Sequence, residues 1–168
     1  MTTADVEDGQ QAPRSALQDV VTEVEHHVAE AGWDQPPQLF ALVETEQLLR
    51  AEPQLARTLG LVAGHPGALT PIAQEPLSDA PLDEALGRIE FGDQVLGVVL
   101  AHEVLVLPPS AEADAEGLDP EAAARHPDAR EVRMVVGVVR DGSRASVLRL
   151  RGTEQDDLLT GPDLAPAL

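Results

Sequence analysis

Apolar residues recur at helical spacing early in the chain. Leu17, Val20, Val21, Val24, Val28 and Ala31 fall on one stripe. Ser15 and Gln18 have the spacing of a capping box, and Gly32 stands where a left-handed C-terminal cap belongs. The pattern predicts a helix over 15–31. Beyond the turn at 33–37, the run at 39–43 is short, apolar and bounded by turn residues, which predicts a buried strand. Residues 45–50 and 53–58 read as short helices, the second opened by a proline at its first position. Repeated Pro and Gly over 60–81 predict loop, with an extended piece at 69–72. Leu82, Ala85, Leu86 and Ile89 give one or two helical turns.

The second half changes period. Residues 89–95 read as strand, a tight Gly92-Asp93 turn, and strand. The run 95–107 is too β-branched and too continuous for a surface helix, and predicts a long strand with a bulge near Gly97. Residues 109–129 predict loop, with a short helix at 120–125. Asp141-Gly142 lies between two β-prone runs, the strongest local hairpin signal, because both residues of the turn need positive φ. A two-residue turn there sets Val138 opposite Ala145, Val136 opposite Val147, Arg149 opposite Met134 and Arg151 opposite Val132. The order of elements predicts an α+β fold: a mostly antiparallel sheet covered by a long N-terminal helix and shorter helices. Residues 1–13 are expected to form a flexible tail, 14–152 one domain, and 153–168 an acidic, partly packed tail with a terminal helical turn.

Composition narrows the chemistry. The chain has 168 residues, a formal net charge of -19, and no Cys or Tyr. All 11 basic residues are Arg. Without Cys there are no disulfides, thiol nucleophiles or thiolate zinc sites. Without Lys there is no Schiff base and no P-loop lysine. The charge repels phosphate backbones and anionic membranes, so neither nucleic acid nor a membrane surface is an expected partner. The scarcity of Lys, Asn, Tyr, Ile and Phe fits a GC-rich bacterial genome. The first residues lack the basic start and apolar core of a signal peptide, and no apolar run is long enough to span a bilayer. A cytoplasmic location is the expectation.

No G-x-S-x-G, H-E-x-x-H, Walker or G-x-G-x-x-G pattern occurs. Glu23, Glu25, His26, His27 and Glu30 share the first helix, where a solvated charged face is expected. A di-iron site needs a second matching helix, and none is found. His102 and Glu103 sit side by side in the long strand, so they face opposite ways and cannot act together. His102 reads as a half-buried histidine; Glu103 is expected to pair with an Arg or to mark the solvent side. His65 and His126 lie in loops without a triad pattern. No catalytic residue, metal ligand or cofactor is assigned.

The arginines are the exception. Arg130, Arg133, Arg140, Arg144, Arg149 and Arg151 are six of the 11, gathered in 22 residues. Two accounts fit them. An acidic protein places its cations on an exposed sheet to relieve self-repulsion and to blunt an edge strand. Alternatively Arg149 and Arg151, with Arg133, form a strip that binds a carboxylate, a phosphate or a partner.

Three blocks carry a resemblance. They are Gly32-Trp33-Asp34-x-Pro36-Pro37-x-Leu39-Phe40-Ala41-Leu42-Val43, then Glu103-x-Leu105-Val106-Leu107-Pro108-Pro109, then Val138-Val139-Arg140-Asp141-Gly142-Ser143-Arg144 with Leu148-Arg149-Leu150-Arg151. Over about 15–168 the chain resembles a family of small acidic actinobacterial proteins of uncharacterised function. The resemblance implies an α+β domain and a cytoplasmic actinobacterial origin, and it brings no catalytic residue.

The functional expectation is a non-enzymatic cytoplasmic protein-binding or adaptor module, chaperone-like, with a homodimer through a sheet edge or the first helix among its forms. The alternatives are a binding protein for an anionic small molecule held by the arginine strip, and a hydrolase using His65 or His126.

Overall fold

The computed structural model describes residues 15–107, 119–152 and 158–161. Helix α1 (Ala16–Glu30) begins where the side chain of Ser15 accepts the Gln18 backbone N–H at 3.1 Å. The Gln18 Nε2 is buried without a partner among the described residues. Gly32, at φ +84°, lets the chain leave the helix and turn back.

Strands β1 (Gln38–Glu44), β2 (Leu69–Ala73), β3 (Val95–Val106), β4 (Arg130–Val139), β5 (Arg144–Leu150) and β6 (Leu158–Gly161) form one antiparallel sheet in the order β2-β1-β3-β4-β5-β6. Between the strands lie α2 (Thr45–Ala51), α3 (Pro53–Thr58), α4 (Leu82–Gly87) and α5 (Pro120–Ala124). The fold is α+β.

Helix α1 lies across one face of the sheet. Its buried Leu17, Val20, Val21, Val24 and Val28 pack on Phe40, Leu42, Val99, Ala101, Val135, Ala145 and Val147. The helix comes so close at Gly137 that a Cβ there would sit 2.5 Å from the Val21 Cγ2 atom. Strand alternation sends Ala41 and Val43 to the other face, where they form a smaller cluster with Leu48 and Val95. Leu42 pairs with Gly97 but Val43 pairs with Val95, so β3 carries the expected bulge, at Leu96.

Three expectations are corrected. Residues 89–91 are not a strand: the segment has no ladder partner among the described residues, and Phe91 packs on the smaller cluster. The stretch 158–161, expected to be tail, is edge strand β6, paired with β5; the remainder of that tail and the 1–13 segment lie outside the described residues.

The third correction is the hairpin register. Gly142 N–H donates to the Val139 carbonyl at 2.9 Å, and Val139 N–H donates to Ser143 at 3.1 Å. The loop is therefore three residues, a tight turn followed by Gly142 at φ +90°. Every pair moves by one: Val138 faces Arg144, Val136 faces Ser146, Met134 faces Leu148, and Arg133 faces Arg149.

Candidate functional site

The register decides where the arginines go. Val135, Val147 and Ala145 lie under α1. Alternation puts Glu131, Arg133, Arg149 and Arg151 on that same face. Arg133 and Arg149 are directly opposite, and like charges so placed repel. Carboxylates from two other elements answer them. Glu25 of α1 is fully buried, and Glu103 of β3 sits opposite Arg133.

Arg149 donates from Nε to one Glu25 oxygen and from a terminal nitrogen to the other, at 2.7 Å. A terminal nitrogen of fully buried Arg133 lies 3.8 Å from Glu25. Its other terminal nitrogen donates to Glu103 at 3.3 Å and to the Gly32 carbonyl. The second Glu103 oxygen accepts the Asp34 backbone N–H at 2.9 Å. The expected arginine partner of Glu103 is thus Arg133.

Arg151 completes the cluster from the end of β5. Its two terminal nitrogens donate to the two Asp34 oxygens, at 3.0 and 3.1 Å, and one of them also donates to Glu131. The hydrogen bonds from Arg151, and then its charge, hold the Asp34 carboxyl below its usual range. The same bonds raise the Arg151 guanidinium further above neutrality. Both cations lie over the Trp33 ring: the guanidinium carbon of Arg133 is 4.5 Å from its centroid and that of Arg151 is 5.5 Å. Asp34 takes φ 65°, a left-handed backbone that a short polar side chain tolerates. The α1–β1 turn is thereby fastened to β3, β4 and β5.

Arg133, Arg149 and Arg151 do come together, but they face carboxylates of their own chain. The expected pairing of Arg149 with Met134 gives way to Arg149 opposite Arg133, and both turn inward. Arg151 is the outermost, with 38% of its side chain exposed. Three further arginines, Arg50, Arg88 and Arg125, pair with Glu46, Glu84 and Glu121 one helical turn away. At the other end of the sheet, Arg140 donates to the carbonyls of Val95, Phe91 and Gly92, tying the lead-in of β3 to the hairpin. A groove of about 510 Å³ opens beside it between Phe91, Val98 and Val138.

Glu25 is the residue that sequence reasoning missed. It belongs with Glu23 and His26 by composition, and those two are exposed as expected. Its position was the available signal: four residues after Val21 and three before Val28, it flanks the apolar stripe. His27, at the edge of the same stripe, meets the Phe40 ring edge-on at 6.3 Å. His102 is half-buried opposite Met134, on the sheet face away from α1. Its Nε2 is buried without a partner among the described residues, and burial pushes its pKa down. His65 is exposed, and His126 accepts the Asp128 backbone N–H at 3.1 Å.

A separate surface feature lies on α3 and its exit. Leu55 and Leu59, four residues apart, are 39% and 45% exposed, and Val62 just beyond is 79% exposed.

These features define an α+β protein in which one helix is laid on a six-stranded antiparallel sheet and a buried ion cluster joins the two. The chain belongs to the PPA1309-like protein family, whose model matches residues 17–168. No curated protein and no solved structure matches it. None of the described helices is long and apolar enough to cross a membrane.

Proposed function

We propose that the protein is a non-enzymatic, cytoplasmic protein-binding module whose partner presents an apolar socket rimmed by basic residues. The observation that carries this reading is the exposure of three large apolar side chains, Leu55, Leu59 and Val62, close together in sequence on one short helix and its exit. Contiguous apolar surface with a polar surround is characteristic of protein contact. The partner's charge is argued from the -19 of the chain. A field of that sign attracts basic surfaces and suppresses acidic ones. The inward turn of Arg133 and Arg149 toward Glu25 favours this reading over an anionic small molecule, because two of the three strip arginines serve internal carboxylates.

The test compares tagged wild-type protein with Leu59→Gln/Val62→Gln. One polypeptide, identified by mass spectrometry, should be captured by the wild type in low salt, lost with the double variant, and weakened in high salt. The reading is overturned if no captured polypeptide depends on Leu59 and Val62. It is also overturned if sedimentation shows a self-dimer that the same substitutions abolish.

A further inference from the structure

We infer that the buried carboxylate of Glu25 selects the register of the β4–β5 hairpin, acting as a positioning residue rather than as a source of net stability. The inference is independent of the binding reading. Its starting point is that the local sequence permits two hairpins. Asp141-Gly142 can close a two-residue loop, or Arg140-Asp141-Gly142 can close the three-residue loop observed. The two differ by one residue of pairing, and a one-residue slip turns every side chain of β5 to the opposite face.

Apolar patterning does not favour the observed choice. Strand β4 carries valines on both faces, at 135 and 139 toward α1 and at 132, 136 and 138 away from it. In the observed register β5 gives Ala145, Val147, Arg149 and Arg151 to the α1 face. The slipped register would instead place Ser146, Leu148 and Leu150 under α1 and send Ala145, Val147 and both arginines to the other side. Two leucines in exchange for one alanine and one valine bury no less apolar surface, so that term taken alone does not hold the observed register.

What the slip cannot keep is the partner of Glu25. That residue is fully buried on α1, fixed by Val21 and Val28 on the same helix face. With Arg149 gone it would retain, among the described residues, only Arg133, at 3.8 Å. A buried carboxylate stripped of its close partner is strongly disfavoured, whereas replacing a whole buried ion pair by apolar groups of similar volume is often neutral. The pair therefore discriminates between registers more than it adds to the stability of either. Arg151 reinforces the choice, because the slip also separates it from Asp34 and Glu131.

The absence of cysteine makes the register directly readable. Val138→Cys/Arg144→Cys reports the observed pairing, in which these two residues are opposite. Val139→Cys/Arg144→Cys reports the slipped one; in the observed register its two side chains point to opposite faces and cannot bridge. In the parent chain, mild oxidation should close the first pair and leave the second open. The ion pair is then replaced in two alternative packings, Glu25→Leu/Arg149→Met and Glu25→Met/Arg149→Leu. The expected result is a cooperatively folded protein in which the slipped-register disulfide rises about tenfold or more. The inference is overturned if that disulfide stays at the parent level in a folded packing. It is equally overturned if both packings fail to fold, since the pair would then be holding the fold together rather than choosing its register.

Discussion

Arg149 holds both carboxylate oxygens of Glu25, residues 124 positions apart in the chain, beneath a helix that otherwise meets the sheet through valine and leucine. The contact joins the first helix to the fifth strand at the centre of an ionic cluster. It also accounts for the inward face of an arginine group that composition alone would place on the surface.

Breaking this pair from one side should cost far more than its surface counterparts. Glu25→Ala leaves Arg133 and Arg149 without their shared carboxylate, and an uncompensated buried charge costs about 3 kcal/mol or more. For a chain of this size that is a fall in melting temperature of about 10 °C. Glu23→Ala, on the exposed side of the same helix, should change stability by less than about 0.5 kcal/mol. Thermal and urea unfolding of the two variants side by side is the check. Equal effects would mean that Glu25 is not held as described.

The single tryptophan reports on the outer end of the cluster. Asp34 and Arg151 are more exposed than Glu25, so their pair should be screened by salt. Asp34→Asn keeps a side chain that tolerates the left-handed backbone but removes the charge that Arg151 grips. Acrylamide quenching of Trp33 should increase in the variant. In the wild type it should rise toward the variant's value as salt is added. A quenching profile indifferent to both changes would show that the clasp does not hold the α1–β1 turn.

Local signals in the sequence were sufficient for the elements themselves. The stripe from Leu17 to Val28 with its serine cap, the valine run of β3 and the Asp-Gly turn each follow from neighbours a few residues apart. The hairpin register does not, because a two-residue and a three-residue loop both accommodate Asp141-Gly142. The contact that separates them, Glu25 to Arg149, spans most of the chain. Glu25 resembled its solvated neighbours for the same reason: its burial depends on a partner invisible at short range. β6 is four residues between an acidic segment and a proline-broken one, too short for alternation to stand out. Residues 89–91 have strand-like composition but find no ladder, since the sheet position beside β3 is already taken by β1.

Acid should weaken the fold partly through His102. Burial lowers its folded pKa below the ordinary 6.5, so the native state favours the neutral ring. As pH falls below 6.5 the unfolded chain takes up the proton first. The stability that His102 contributes by staying neutral is therefore present above that pH and is lost below it. His102→Leu should remove this slope, leaving a smaller loss of stability between pH 7 and pH 5 than the wild type shows. It should also relieve the unpartnered Nε2. Urea midpoints measured across that interval decide the matter, and parallel curves for the two proteins would exclude the assignment.

The close seat of α1 on β4 makes a sharper prediction. A methyl group at Gly137 would meet the Val21 Cγ2 atom at 2.5 Å and the Leu17 Cδ1 atom at 2.9 Å, both in the packed centre of the core. Gly137→Ala should therefore destabilise by about 1–3 kcal/mol, because a filled core yields only by moving side chains off their rotamers or by lifting the helix. Val21→Ala alone should also destabilise, by opening a cavity beneath the helix. Together the two changes remove the Val21 Cγ2 that the added Cβ would strike and place a methyl in part of the space vacated, so the double variant should be more stable than the sum of the single losses allows. A coupling of about 1 kcal/mol in that direction is expected from a double-mutant cycle on residues in contact. Strict additivity would mean that the helix rides higher on the sheet than the Gly137 contact requires.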